Sequence, residues 1–442
     1  MARDTIAAIA TAPGRGGLGT VRMSGPQARP IAERLLQRAL QPRRAHLAQF
    51  RDGDGAVLDQ VIAVWFAAPA SATAEDVVEI TAHGAPVLLD AILRATLAAG
   101  ARLAEPGEFT RRGFLNGRLD LTQAEAIGDL VAAHTLHQAR EAARQMQGSV
   151  AHLLRPLHQR YTVLIAHLEA GIDFADDDVT VVADAQLHAD IAALRQELAR
   201  LQCDFQLARV VREGLTVALV GRPNVGKSSL FNRLLARERA IVTAQPGTTR
   251  DLIEASVDWD GIPVRLVDTA GIRPPEGEAE RLGIARSWEA AADADLVLAV
   301  FDASEPLQPE DRELQQRWLS LPCAVAVWNK ADLGLAAPGA EGGVVVSALT
   351  GAGIAELRAA LRRRVLPEAA AEGEHITNLR HAAQLALADQ HLARAAAAAG
   401  HVPHEALLVD LYDGLHALDA ITGQTTVEDI LGVIFSTFCI GK

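Results

Sequence analysis

Gly221-Arg222-Pro223-Asn224-Val225-Gly226-Lys227-Ser228 follows the apolar run Thr216–Val220 and precedes the amphipathic stretch Ser229–Leu235. The spacing is GxxxxGK[ST], and its flanks read as strand, loop and helix. Glycines let backbone N–H groups curl round a phosphate, Lys227 adds a point charge, and the Ser228 hydroxyl suits a Mg2+ ion. Val225 and Ser229 complete the loop. Such a unit belongs to a parallel sheet covered by helices on both faces.

Further along the chain, three segments extend the site. Asp268-Thr269-Ala270-Gly271 follows the run Val264–Val267, where a carboxylate can hold Mg2+ through water and Gly271 can donate to a γ-phosphate. Asn329-Lys330-Ala331-Asp332 follows Ala324–Trp328. The Asp332 carboxylate can accept from guanine N1–H and the 2-amino group, a donor pair that adenine lacks. Ser347-Ala348-Leu349 closes the base pocket after Val344–Val346. These segments, in order and at strand ends, define a P-loop domain for GTP. Near Thr248-Thr249-Arg250-Asp251, Thr249 is expected to supply the second Mg2+ hydroxyl and to switch when the γ-phosphate leaves. Asn224 either stiffens its loop as an Asx turn or holds a monovalent cation beside the phosphates. Residue 272 is Ile, which cannot orient water, so a catalytic carboxylate is sought among Glu276, Glu278 and Glu280.

Outside this unit the texture changes twice. Residues 1–118 read as α+β: Ile6–Ile9 and Thr20–Arg22 flank a loop at Pro13–Gly17, Val61–Phe66 and Val77–Thr81 read as strands, and Ala85–Ala99 as a helix. Residues 119–214 and 367–442 read as helices, which makes 215–366 an α/β insertion in a helical domain. The 442-residue chain suits about three domains. Its net charge is −13, yet residues 1–119 hold 14 Arg against 11 acidic residues, so the remainder carries −16. RNA contact is therefore local or shared with a partner. Cys203, Cys323 and Cys439 are too scattered for a disulfide framework or CxxC site. Absence of a long apolar run or signal peptide points to a cytoplasmic protein without a membrane anchor.

Five further segments stand outside the nucleotide site: Asp4-Thr5-Ile6-Ala7-Ala8, Pro106-Gly107-Glu108-Phe109-Thr110, Phe114–Leu121, Gln123-Ala124-Glu125-Ala126 and the terminal Cys439-Ile440-Gly441-Lys442. On these, together with the inserted GTP domain, the whole chain resembles the MnmE (TrmE) family of tRNA modification GTPases. The resemblance implies a K+-stimulated GTPase that installs a (carboxymethyl)aminomethyl group at C5 of the wobble uridine of certain tRNAs. A tetrahydrofolate (5-formyl or methylene) supplies the one-carbon unit, and an MnmG-like partner carries FAD. It further implies a homodimer through the N-terminal domain. Asn224, Thr243, Gln245 and Thr248 would hold K+, within the loop Thr243-Ala244-Gln245-Pro246-Gly247-Thr248. Glu280 would orient the attacking water. Arg22, Glu79, Arg118 and Lys442 would bind the folate; Arg118 stands where the family commonly has Lys. Cys439 would be a functional thiol, and Cys323 reads as structural. The alternative is a GTP-operated switch for ribosome or RNA assembly, which needs neither a folate-type domain nor Cys439.

Overall fold

A computed structural model describes residues 4–51, 55–173, 184–235, 240–241, 253–259, 261–268, 294–318, 323–336, 342–365, 378–424, 431, 434–436 and 438–441. Contacts gather the chain into two units. One comprises Met1–Gly128, Arg144–His152 and His416–Lys442, the other Asp129–Ala143 and Leu153–Leu415.

In the first unit, β1 (Ile6–Ile9), β2 (Gly16–Ser24), β3 (Ala45–Arg51), β4 (Val57–Phe66), β5 (Val77–Gly84) and β6 (Arg102–Leu103) form one sheet, ordered β3-β4-β5-β2-β1-β6. Strand alternation sends Val21, Met23, Val61, Ala63, Val78 and Ile80 into a core with α1 (Ala28–Leu36) and α2 (Pro86–Ala98), whose Ile31, Leu36, Leu89 and Ile92 are buried against them. The opposite face carries Arg22 directly across from Glu79 and Thr20 across from Thr81. Farther out on that face, Leu47 and Ile62 pair in register and are about half exposed.

The expected strands are present, and three are longer than the runs that announced them: β2, β4 and β5. Gly16 and Gly17 belong to β2 and not to the loop. The register shifts between Gly16 and Gly19, and a Cβ on the facing Gly84 would lie 2.6 Å from Gly16 O, so glycine here serves a close backbone crossing. Helix α1 and strand β3 were not foreseen. The α1–β3 stretch is interrupted by Arg and Gln, which dilute the apolar period.

The C-terminal residues fold onto this same unit. Leu431 and Phe435 pack with Leu121 and Ala124, α3 (Glu108–Leu115) precedes α4 (Leu121–Ala132), and Ile440 bridges Pro106. Gly441 has φ +99, and a Cβ there would meet Ile9 O at 2.4 Å, so only glycine fits this crossing. An ion-pair knot holds the strand and helix ends together. Arg112 donates to the carboxylates of Asp4 at 2.6 Å, Glu108 at 3.0 Å and Glu75 at 3.1 Å, and Arg102 donates to Glu108 at 2.6 Å.

Beyond α4 the chain continues through α5 (Leu136–Met146), α6 (Ser149–Asp173) and α7 (Asp184–Glu213). In the second unit, Gly214, with φ +80 and its Cβ position 2.4 Å from Pro263 O, turns α7 directly into β7 (Leu215–Val220). A seven-stranded sheet follows, from β7, β8 (Ala240–Ile241), β9 (Ile253–Trp259), β10 (Ile262–Asp268), β11 (Leu296–Asp302), β12 (Ala324–Asn329) and β13 (Val344–Val345), ordered β13-β12-β11-β7-β10-β9-β8. The five strands from β13 to β10 are parallel; β9 and β8 add an antiparallel edge. The parallel sheet expected from the sequence is present, with this antiparallel edge added to it. Trp259 and Ile262 join β9 to β10 as a hairpin, an arrangement that Asp-Gly punctuation at 260–261 permits. Helices α8 (Lys227–Leu235), α9 (Pro309–Trp318) and α10 (Ile354–Val365) alternate with the strands. Helix α11 (Leu379–Ala398) packs on α7, tied by Arg195–Asp389 at 2.8 Å, and α12 (His404–Thr422) follows.

Candidate functional site

Parallel register brings Val220, Asp268, Asp302 and Asn329 to one carboxyl edge of the second sheet, the edge where ligands bind in open α/β folds. There the 221–226 loop turns through Asn224 at φ +66 and Gly226 at φ +93 into α8. Lys227 is buried, and its ammonium donates to Gly221 O at 2.7 Å and Arg222 O at 2.8 Å. Burial pushes the Lys227 pKa down, partly opposed by the Asp268 carboxylate. The Ser228 hydroxyl donates to Asp268 Oδ2 at 2.9 Å. A hydroxyl beside a buried carboxylate is a hard-oxygen donor set that fits Mg2+. Ser228 would ligate that ion directly and Asp268 through water, and the ion would offset phosphate charge.

Asn329 joins the phosphate loop to the base segments. Its Nδ2 donates to Val225 O at 2.9 Å, while its Oδ1 accepts from Ala348 N at 3.0 Å. Lys330, at φ +64, donates to Asp302 Oδ2 at 2.6 Å. Burial alone would raise the Asp302 pKa; bonds from Lys330 and Ser304 outweigh it and hold the carboxyl below its usual range. The Ser347 hydroxyl donates to Asp332 Oδ1 at 2.5 Å and fixes one carboxylate oxygen. Leu349 is exposed beside buried Ala348. Thus Val225, Gly226, Lys227, Ser228, Asp268, Asn329, Lys330, Asp332, Ser347, Ala348 and Leu349 stand along one edge; Ser229 is on exposed α8 surface. Asn224 is exposed in its loop. Thr243, Ala244, Gln245, Pro246, Gly247, Thr248, Thr249, Thr269, Ala270, Gly271, Glu280 and Lys442 lie outside the described residues.

Sequence reading missed the supports. Arg222 donates to Glu305 at 2.8 Å and Asp311 at 3.2 Å, anchoring the phosphate loop from outside. Asp302 was detectable as an acid ending an apolar run, like Asp268. Arg233 carried no sequence signal.

A second cluster lies in the first unit. Arg22 Nε and one terminal nitrogen both donate to Glu79 Oε1, at 2.9 and 2.7 Å, and its other terminal nitrogen reaches Gly441 O at 3.4 Å. The guanidinium also lies 5.7 Å from the Phe109 ring centroid. Both bonds fall on Oε1, so Glu79 Oε2 retains acceptor capacity, which fits the N–H and amino edge of a pterin. Arg118 sits in other surroundings. It donates to Ser71 O at 3.2 Å and, with Arg43, Phe66 and Pro69, lines an open cavity of about 450 Å³ that neither Arg22 nor Glu79 lines. Cys439 is exposed, and its carbonyl accepts from Gly107 N at 3.4 Å. Cys323 is half-buried, with its carbonyl accepting from Val297 N at 2.9 Å.

Family comparisons agree along the chain. The profile described as GTP-binding protein TrmE N-terminus matches residues 5–118, and that of the MnmE helical domain matches residues 121–439. A tRNA modification GTPase MnmE of Koribacter versatilis is 53% identical, covering 99% of each chain. Its counterpart in Ralstonia nicotianae is 44% identical, covering 99% of this chain and 96% of that one. A solved Aquifex aeolicus Era structure with GDP and AlF4− is 27% identical over 40% of this chain and 66% of that one, with a TM-score of 0.27. With full-length identity of this order and a built guanine-nucleotide site, the chain belongs to the MnmE (TrmE) family of tRNA modification GTPases.

Proposed function

We propose that this GTPase works with an FAD-carrying, MnmG-like flavoprotein to install a (carboxymethyl)aminomethyl group at C5 of the wobble uridine of certain tRNAs. Tetrahydrofolate, as the 5-formyl or methylene form, supplies the one-carbon unit. The observation that carries this reading is the junction of Arg22, Glu79 and the C-terminal Gly441, which brings a pterin-suited carboxylate and the Cys439 segment into one unit. An assembly switch has no use for that junction.

On this reading residues 1–118 form the folate-binding and dimerising domain, 119–214 and 367–442 the helical domain, and 215–366 the inserted GTPase domain. The exposed Leu47–Ile62 pair on the open sheet face supports a homodimer through the N-terminal domain. Glu79 reads the pterin edge, and Arg22, Arg118 and Lys442 supply cationic partners to the folate's tail and other polar parts. Asn224, Thr243, Gln245 and Thr248 take K+, whose charge offsets that developing on the transferring phosphoryl group. Ser228 and Thr249 take Mg2+. Glu280 orients the water that Ile272 cannot. GTP hydrolysis drives or gates the modification complex, and the work is cytoplasmic; no described helix is long and apolar enough to cross a membrane.

The test is mass analysis of tRNA nucleosides from cells lacking the protein. The C5 aminomethyl-type group should vanish from the wobble uridine and return with the wild-type chain. Unaltered nucleosides beside a ribosome-assembly defect would overturn the reading in favour of the switch.

A further inference from the structure

Arg233 lies in the last turn of α8, the helix that opens with Lys227 and Ser228. Its Nε donates to Ala348 O at 2.7 Å, and a terminal nitrogen donates to Leu349 O. The side chain is half-buried and also lies 3.8 Å from where a Cβ on Gly351 would stand. The 347–352 turn is otherwise tied to itself: Ser347 N donates to Ala352 O, Gly351 N to Ser347 O and Thr350 N to Ser347 Oγ. Toward the sheet it is held by Asn329, through Ala348 N, and by Asp332, through Ser347 Oγ. Arg233 is therefore its tether to α8.

The consequence follows from peptide geometry. In a trans peptide the C=O and the next N–H point in opposite directions. Pinning Ala348 O toward α8 turns the Leu349 N–H away from α8, where it can serve as a donor to a ligand. Guanine and hypoxanthine present a 6-keto acceptor; adenine presents a 6-amino donor at the same place. Asp332 reads the other edge, N1–H and the 2-amino group. We infer that Arg233 is a positioning residue for base selection, acting through the Ala348 and Leu349 carbonyls to fix a backbone donor for the 6-keto oxygen. The inference deepens the reading of Ser347–Leu349 as part of the guanine pocket and rests on it. A lysine offers a point charge without the planar fork, so it can satisfy only part of this geometry.

The test uses the full chain with GTP, inosine triphosphate and ATP, for wild type, Arg233→Ala and Arg233→Lys. In Arg233→Ala, KM should rise about tenfold for both keto nucleotides, the loss expected for one well-made hydrogen bond. The turnover number should stay within about twofold, since Lys227 and Ser228 keep their places. Preference for GTP over ATP should fall about tenfold while preference for GTP over inosine triphosphate holds, because Asp332 still reads the 2-amino group. Arg233→Lys should recover part of the lost preference. A purely structural arginine would lower the thermal midpoint without moving the GTP-to-ATP ratio, and that result overturns the inference. Asp332→Asn run alongside separates the two failures. If it shifts preference to xanthosine nucleotides while Arg233→Ala shifts nothing, the pocket stands and the role of Arg233 falls. If neither variant shifts preference, the pocket assignment falls with it.

Discussion

Gly226→Ala tests the coupling between phosphate loop and base pocket most directly. Gly226 has φ +93, and a methyl there would lie 2.3 Å from Asn329 Nδ2. Asn329 is almost fully buried and cannot yield without dropping its bonds to Val225 O at 2.9 Å and from Ala348 N at 3.0 Å. The left-handed backbone costs an L-residue about 1–2 kcal/mol. Losing two buried hydrogen bonds adds about 1 kcal/mol each. The sum is about 3–4 kcal/mol, which corresponds to roughly 10²–10³ in nucleotide affinity. Titration with a fluorescent GDP analogue should show this loss, with the circular dichroism spectrum unchanged. Asn329→Ala should weaken binding too, and the double variant should fall short of additivity because the clash then has no partner. An affinity within about threefold of wild type for Gly226→Ala, or strict additivity, would refute the linkage.

Asp332→Asn replaces a double acceptor by a mixed amide, so xanthosine nucleotides should displace guanosine nucleotides as the preferred ligand in competition assays; retained GTP preference removes Asp332 as base reader. GTP turnover should rise in K+ over Na+, and Asn224→Ala should abolish the difference; equal rates of the wild type in both salts would dismiss the cation role. Glu280→Ala should keep GTP affinity and lose hydrolysis by about 10²–10⁴-fold in single-turnover assays, unlike Glu276→Ala or Glu278→Ala; a normal rate transfers the role elsewhere. Acid stability tests the Arg112 knot. Burial would raise the Asp4 and Glu108 pKa values, but Arg102 and Arg112 bonds outweigh it and hold both below their ordinary 3.8 and 4.5. Depressed folded-state values give stabilisation that is present above those ordinary values and lost as pH falls through the lower ones. Arg112→Met should therefore raise the midpoint pH of acid unfolding followed by near-ultraviolet dichroism, and an unmoved midpoint would show the knot to be neutral.

The candidate nucleotide site was legible because its chemistry is local. Phosphate binding needs consecutive N–H groups and one lysine, and each remaining segment is an acid or amide ending an apolar run, so Asp268, Asn329 and Asp332 announce themselves. Supports that act across the fold do not. Arg222, Arg233 and Arg112 are ordinary arginines in sequence; their partners Glu305, Leu349 and Glu75 are supplied by topology. Strand β9 is a different case: Ile253-Glu-Ala-Ser-Val-Asp-Trp259 alternates apolar and polar residues at period two, so the strand itself was legible, whereas its antiparallel pairing with β10 is supplied by topology. Arg22 and Glu79 could be named from the family resemblance, yet their shared Oε1 geometry and the separate setting of Arg118 required coordinates.

The Gly441 crossing gives the terminal segment a meaning beyond its four residues. Arg22 and Gly441 are 419 positions apart, yet their contact and the Ile440–Pro106 bridge belong to one unit with β1. Contacts so distant in sequence can form only after the intervening chain has been made, and they order the segment at a large closure entropy. A free tail would avoid that cost. Gly441 fixes the backbone two residues past Cys439, and Arg22 couples that backbone to Glu79. Arg22 thus meets both the Glu79 carboxylate and the Gly441 carbonyl, two residues past the exposed Cys439.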